Sequence, residues 1–340
     1  MPQEMKTEMR KPISRRISIA FTSLIVGGIF GYVFGVSLLP SLKEQENGSV
    51  CTNTHSLLYP QLDCPNINAQ YQNTSAIEEA VRAYIDEAKV EKHAETVSVF
   101  YRSLTTQKWF GINENEQFAP GSLLKLPLGM AYYKLAEISP DVLNRQFQYR
   151  PTSASLNKLE HFPPPVTLTS GTQYATDELV RRMIQYSDNE TALVLATSID
   201  KNFLDKVFTD VGVTIPVSVS ASQQFLTTKV MGAIFRMLYY ASYLNPDGSQ
   251  KILEIMSHSS FTVGLRAGVP SEIAVSNKFG ERSITDAKTG QEVSTELHDC
   301  GIIYHSDHPY ILCIMSRGNN YNSLGSAIAD ISRIVWEKQK

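Results

Sequence analysis

The sequence predicts an α/β domain of the α+β kind. It has an antiparallel sheet flanked by N- and C-terminal helices, an inserted all-helical subdomain, and one preceding transmembrane helix. Three observations predict this. Strand signals occur near both ends of the region beyond residue 75, with a long helical block between them. A run of 23 residues near the N-terminus carries no charge. Hydrophobic residues make up 42% of the 340-residue chain and charged residues 19%, which is enough for a sizeable core and excludes global disorder.

The same composition excludes several function classes. The net charge is −3, and no Lys/Arg run lies outside the N-terminus, so nucleic acid is not an expected partner. Four cysteines without a C-x-x-C pair, and no histidine cluster, argue against a structural zinc site. No G-x-G-x-x-G or Walker sequence occurs, so no nucleotide cofactor is expected, and no metal.

Residues 1–16 form a basic tail with Lys6, Arg10, Lys11, Arg15 and Arg16. Residues 17–39 follow as the uncharged run, which as a helix reaches roughly 34 Å, enough to span a hydrocarbon core. The positive flank predicts a cytoplasmic N-terminus and an extracytoplasmic remainder. A cleaved signal peptide is normally shorter and ends at a small-x-small site, which GVSLLPSLKEQ lacks, so an uncleaved single-pass anchor is expected. Gly27, Gly31 and Gly35 share one helix face and offer a homodimer contact, although glycine is also simply common in membrane helices.

Residues 40–74 are rich in Asn, Gln, Ser and Thr and read as a polar tether. They contain Cys51 and Cys64, whose disulfide would staple a small loop outside the cell. The domain proper is expected over 75–340. It opens at Ser75-Ala-Ile-Glu78, a capping box before an amphipathic helix to about residue 93. Strands are predicted at 96–104 and 108–112, and a helix from Ser122 to about Glu137. Residues 138–173, with three consecutive prolines, read as irregular. Helical patterns cover 176–187, 189–211, 228–243 and 249–258, closing an inserted subdomain of about 122–258. Strands return at 271–279, 297–304 and 309–316, and a last helix covers 322–338. A pocket is expected at the seam between sheet and insertion.

Three short motifs carry chemistry. Ser122-Leu-Leu-Lys125 follows Pro120-Gly121 and opens an apolar helix, and residues i and i+3 share a face, so the lysine amine can reach the serine oxygen. A helix start supplies free N–H groups and positive potential, which suit an alkoxide and an adjacent oxyanion. Two further S-x-x-K sequences, at Ser155/Lys158 and Ser198/Lys201, lack that context. Ser187-Asp188-Asn189 lies between two helical segments, where such a tripeptide can equally be a cap. Lys278-Phe279-Gly280 ends a predicted strand.

S-x-x-K, then S-D-N, then K-x-G, in this order and these settings, resembles the serine β-lactamase and penicillin-binding protein superfamily, and its class A-like branch most closely. The resemblance covers roughly residues 76–340. It implies the β-lactamase/transpeptidase fold. It implies Ser122 as nucleophile, Lys125 as its base, Ser187 as proton relay to the leaving nitrogen and Asn189 as orienter of Lys125. It further implies Asn189, Lys278 and Gly280 as substrate-binding residues, and the backbone N–H groups of Ser122 and Glu281 as the oxyanion hole. The ligand implied is a β-lactam or a peptidoglycan-like peptide.

Two departures bear on turnover. Phe279 stands where the family has a hydroxyl, with Arg282 as a substitute contact. Class A enzymes also carry a deacylating Glu followed four residues later by Asn, whereas the matching segment here, VTIPVSVSASQQFLTTK, has no carboxylate. The expectation is an anchored serine hydrolase that acylates Ser122 and deacylates slowly. The alternatives are a D,D-peptidase, a non-catalytic cell-wall-binding protein and a tethered structural or adhesion protein.

Cys300 and Cys313 flank a hairpin. With a turn at His305–His308, Tyr304 pairs with Pro309 and antiparallel register sets Cys300 opposite Cys313, within disulfide reach. Two reduced cysteines acting as small hydrophobes are the other reading.

Overall fold

The computed structural model describes residues 55–59, 74–90, 94–151, 156–216, 223–285 and 292–339. The expected anchor with Gly27, Gly31 and Gly35, and Cys51 and Cys64, lie outside the described residues. Among the described residues no helix is long and apolar enough to cross a membrane.

The element order is α1 (Ser75–Val90), β1 (Thr96–Ser103), β2 (Trp109–Ile112), a 3₁₀ turn (Gly121–Leu124), α2 (Lys125–Ala136), β3 (Gln146–Gln148) and β4 (Gln173–Ala175). There follow α3 (Thr176–Gln185), α4 (Asn189–Ser198), α5 (Lys201–Asp210), α6 (Thr228–Tyr239) and α7 (Pro246–Ser257). The chain ends with β5 (Val275–Thr285), β6 (Glu292–Ile303), β7 (Tyr310–Gly318) and α8 (Tyr321–Glu337). The main sheet has five strands in the order β2-β1-β7-β6-β5, with every neighbouring pair antiparallel. The sheet is thus assembled from both ends of the chain, around the helical insertion.

Both sheet faces are covered, so β7 reads as a continuous apolar run rather than an alternating one. Tyr310, Leu312 and Ile314 face one core, and Ile311, Cys313 and Met315 face the other. The first core is closed by α1 through Ile77, Val81 and Ile85, and by α8 through Leu324, Ile328, Ile331 and Val335. Their spacing of three and four residues makes one apolar stripe per helix. The second core contains Met231, Ile234, Phe235 and Leu238 of α6 and most of α2. Helix α2 is buried around much of its circumference, from Lys125 to Tyr133. Pro127 is tolerated there because the first turn needs no N–H donor at that place.

Several elements differ from the sequence expectation for identifiable reasons. The helix expected over 189–211 is two helices, because the Asp200 side chain accepts from Phe203 N at 2.9 Å and caps a new start. Asn245 caps α7 by accepting from Gly248 N at 2.8 Å, so this helix begins at Pro246 rather than at 249. The segment read as irregular holds a small two-stranded sheet, β3 with β4. The Glu78 carboxylate of the first turn binds Arg82 one turn on, with Nη2 at 2.7 Å. Strand β5 runs through Lys278-Phe279-Gly280 and continues to Thr285, which carries Glu281 and Arg282 along the sheet edge.

The β6–β7 register sets Cys300 opposite Cys313, with Cα atoms 3.9 Å apart and the sulfurs joined. Denaturing the protein without reductant should leave both sulfurs unalkylated and give one linked peptide pair on digestion. Full alkylation of both would mean two reduced thiols.

Candidate active site

The site begins with how Ala119 is held. Its N–H donates to Glu296 Oε2 at 2.8 Å, and its carbonyl accepts from His298 Nε2 at 2.9 Å. Both side chains rise from β6 and are fully buried. Burial pushes the His298 imidazole down to about 4, so it is neutral at pH 7 and its Nε2–H can serve as that donor. Glu296 is held by Arg317 Nε at 2.7 Å and also accepts from Gln224 Nε2 at 3.3 Å. One buried carboxylate thereby ties the residue before the turn to the opposite cleft wall. Glu296→Ala is expected to cost about 3 kcal/mol in chemical denaturation, because it leaves Arg317 and the Ala119 N–H without their buried acceptor. A loss under about 1 kcal/mol would mean that water replaces the carboxylate.

Gly121 follows at φ +50°, a conformation that favours glycine. A Cβ there would stand 2.5 Å from Glu281 O and 3.1 Å from Glu281 N, so the β5 backbone runs directly against the turn. Gly280 permits the same contact from the other side, since a Cβ on it would lie 2.8 Å from Pro120 O. Ser122 sits in the 3₁₀ turn rather than in the α-helix. In that geometry i and i+3 eclipse, which stacks Lys125 over Ser122. The first N–H groups of such a turn lack intrahelical acceptors.

Ser122 is 8% exposed and Lys125 7%. Lys125 Nζ lies 2.8 Å from Ser122 Oγ, 2.6 Å from Asn189 Oδ1 and 3.2 Å from Ser187 Oγ, and it also donates to Ser187 O. Burial lowers its pKa to about 8, against the pull of Glu160, Asp188 and Glu281. A fraction of the amine is therefore neutral near pH 7, within hydrogen-bond reach of the serine hydroxyl.

The S-D-N tripeptide is both a cap and part of the site. Asp188 Oδ1 accepts from Glu190 N at 2.9 Å and Thr191 N at 3.3 Å, starting α4. Asn157 clamps the turn, donating to Asp188 Oδ1 at 3.0 Å and accepting from Asn189 N at 2.8 Å. Ser187 is held at φ +57°, a strained position for a residue with a side chain. There its hydroxyl meets both lysines: Lys278 Nζ lies 2.9 Å from Ser187 Oγ. Ser122, Lys125, Ser187 and Lys278 thus form one continuous hydrogen-bonded chain.

Lys278 is fully buried, and it also donates to Phe279 O at 2.8 Å. Burial first, and Lys125 second, push its pKa well down. The cleft beside Ser122 measures about 260 Å³ and is lined by Lys125, Glu160, Asn189, Gln223, Phe225, Glu281 and Arg282. Lys278 and Gly280, expected to contact substrate, stand behind this wall rather than on it. Phe279 does not take the place of a cleft hydroxyl either. Its ring stacks on Phe261 at 4.2 Å, and Phe162 packs edge-on at 6.1 Å. Of the other S-x-x-K pairs, Ser155 lies outside the described residues, and Ser198 and Lys201 turn to separate partners, Val194 O and Asp205. Among the described residues no group of three or more His, Cys, Asp or Glu side chains could hold a metal ion.

Sequence reasoning missed two side chains, Glu160 and the carboxyl of Glu281. Glu281 accepts from His161 N at 2.9 Å and Phe162 N at 3.0 Å. Burial raises its pKa to about 7, with Glu160 adding to the rise and the two backbone donors opposing it. Glu160 Oε1 accepts from Asn189 Nδ2 at 2.5 Å. The acid directly after K-F-G, whose own backbone N–H is a proposed oxyanion donor, was the available signal for Glu281; nothing local pointed to Glu160.

A buried serine hydroxyl against a buried lysine, linked through a second serine to a second lysine, is the arrangement of a serine hydrolase. The chain belongs to the beta-lactamase enzyme family, whose model matches residues 76–339. Among solved structures it is similar to a beta-lactamase from Xanthomonas campestris pv. campestris, with a TM-score of 0.63 and 18% identity over 78% of this chain and 99% of that one. It is similar to a mutant of PBP-A in its acyl-enzyme complex with penicillin G, with a TM-score of 0.62 and 17% identity over 78% and 98% of the two chains. A beta-lactamase from Chitinophaga pinensis gives a TM-score of 0.62 and 18% identity over 77% of this chain and all of that one. At these identities the likeness is one of fold. A search of curated protein sequences finds no match.

Proposed function

We propose that this chain is a membrane-anchored serine hydrolase that forms an acyl-enzyme on Ser122 with a β-lactam or a peptidoglycan-like peptide and releases it slowly. The observation that carries the reading is Lys125 Nζ, placed between Ser122 Oγ, Ser187 Oγ and Asn189 Oδ1. Neutral Lys125 takes the Ser122 proton as Oγ attacks the carbonyl. The backbone N–H groups of Ser122 and Glu281 receive the oxyanion. The proton passes through Ser187, polarised by Lys278, to the leaving nitrogen. Asn189 holds Lys125 in place, and Arg282 offers a cation to a substrate carboxylate.

Slow release is inferred from the wall opposite Ser122. It presents Gln223 and Phe225, and its segment contains no carboxylate to activate water. Glu281 has both oxygens engaged by backbone N–H groups, and Glu160 is engaged by Asn189. Absence of a general base slows hydrolysis by about 10²- to 10⁴-fold. Nitrocefin should therefore give a burst equal to the enzyme concentration, followed by a slow phase. Fast linear hydrolysis without a burst would contradict this. A D,D-peptidase would share each acylation step and differ in its natural acyl donor.

In this reading residues 17–39 anchor the chain and 40–74 link it to the 75–340 domain outside the membrane; this link is not free tether throughout, since Leu58 is buried in the domain's core and Tyr59 N donates to Tyr239 O at 2.8 Å. Extraction only by detergent, and digestion of the domain by protease added to intact cells, are the expected results.

A further inference from the structure

The segment 55–59 enters the domain on α6, away from the cleft. Tyr59 N donates to Tyr239 O at 2.8 Å, and the Tyr59 ring packs edge-on against Tyr240 at 4.8 Å. Tyr240 closes a stripe along the helix. Lys229, Ala233, Arg236 and Tyr240 recur at spacings of three and four residues, so they share one face. Lys229 and Arg236 are exposed on it.

Strands β1 and β2 widen this face. Arg102 on β1 lies directly opposite Trp109 on β2, the strand at one edge of the sheet. Trp109 stacks on Phe100 at 5.9 Å yet stays 48% exposed, and Lys229 Nζ stands 6.0 Å from the centre of its ring. Arg102 Nη2 donates to Gln107 Oε1 at 3.0 Å, and Gln107 Nε2 donates in turn to the Tyr240 hydroxyl. The hairpin is thereby fastened to α6 beside the entering segment.

Three cations meet here without neutralisation. Arg102 bonds a neutral amide, Lys229 stands over an indole, and among the described residues neither they nor Arg236 form an ion pair with a carboxylate. Burial first, and Arg236 second, lower the pKa of Arg102, so the two guanidinium groups act on each other. Glu114 lies at one margin, against Gly111, and Asp307 at another, where its carbonyl accepts from Thr105 at 3.3 Å. An exposed indole among unpaired cations suits the headgroup layer of a bilayer, where anionic lipids attract Lys and Arg and tryptophan partitions to the interface. Residues 40–54 join this entry point to the expected anchor and reach at most about 54 Å when extended, so a bilayer is within range of the face.

We propose that this face is a second membrane contact: Arg102, Lys229 and Arg236 bind anionic lipid headgroups while Trp109 enters the interface. Strand β5, which lines the cleft, is the opposite edge of the sheet from β2, so the contact leaves the β5 side uncovered for acyl donors. The proposal rests on residues 17–39 being an anchor, and its test separates the two claims.

The full chain is reconstituted into phosphatidylcholine vesicles with or without phosphatidylglycerol, both containing a lipid brominated near its headgroup, which quenches tryptophan at the interface. Quenching should be about two-fold or more stronger in the anionic vesicles, and about 1 M NaCl should remove the difference. Trp109→Phe should abolish the lipid-dependent part, leaving only the signal of Trp336, and Arg102→Glu with Arg236→Glu should bring the anionic vesicles to the phosphatidylcholine level. If those variants fail to fold, the lipid and salt series on the unaltered protein decides alone. Flotation with both vesicles but equal quenching, or a difference that survives Trp109→Phe, would overturn the proposal and leave the anchor standing. No flotation with either vesicle would overturn the anchor, and the proposal with it.

Discussion

Lys125→Met is expected to lower the second-order rate of penicillin acylation by about 10³-fold, the usual share of a positioned general base. Methionine fills a similar volume with no charge, so the buried α2 start stays packed and the melting temperature should not fall. In the unaltered protein the rate should rise with pH and level off above about 8, where the amine is neutral. A variant within ten-fold of the wild-type rate, or a rate independent of pH between 6 and 9, would assign the proton to another group. Stability has its own pH dependence. The folded-state pKa of Lys125 lies below its unfolded value, so the unfolded chain binds more protons between about 8 and 10.5. Through this residue, stability rises with pH across that window.

Ser122→Ala is expected to abolish covalent labelling by a fluorescent penicillin altogether, because without the hydroxyl no ester can form. The fold should survive. The hydroxyl is small, and the turn around it is held by Ala119, Gly121 and Gly280 rather than by Ser122. Lys125 keeps its contacts with Ser187 and Asn189 in this variant. Reversible binding should therefore persist while the adduct is lost. Residual labelling at the wild-type rate would move the nucleophile elsewhere.

Much of this fold can be read from local pattern. Strands β1, β6 and β7 and helices α1 and α8 announce themselves by apolar runs and stripes, and S-x-x-K and S-D-N mark their turns. What could not be read there is set by distant partners. The exception is local: the break at Asp200 comes from its side chain accepting from Phe203 N, three residues on, in place of helix continuation. Phe279 reads in sequence as a substitute for a cleft hydroxyl, whereas its ring stacks on Phe261, eighteen positions earlier in the chain. The clamp of Glu296 and His298 on Ala119 joins residues nearly 180 apart in sequence, and no periodicity encodes it. The same holds for Glu160, whose place beside Asn189 comes from the Asn157 clamp and the Glu281 strap.

The central claim is that Ser122 is the residue acylated. The direct measurement is mass spectrometry of the full chain after brief exposure to benzylpenicillin, followed by digestion and peptide mapping. The account predicts one adduct with the full mass of the penicillin, on the peptide that contains Ser122, and persisting long enough to be isolated. An adduct on Ser155, Ser187 or Ser198, or no adduct at saturating penicillin, would contradict it.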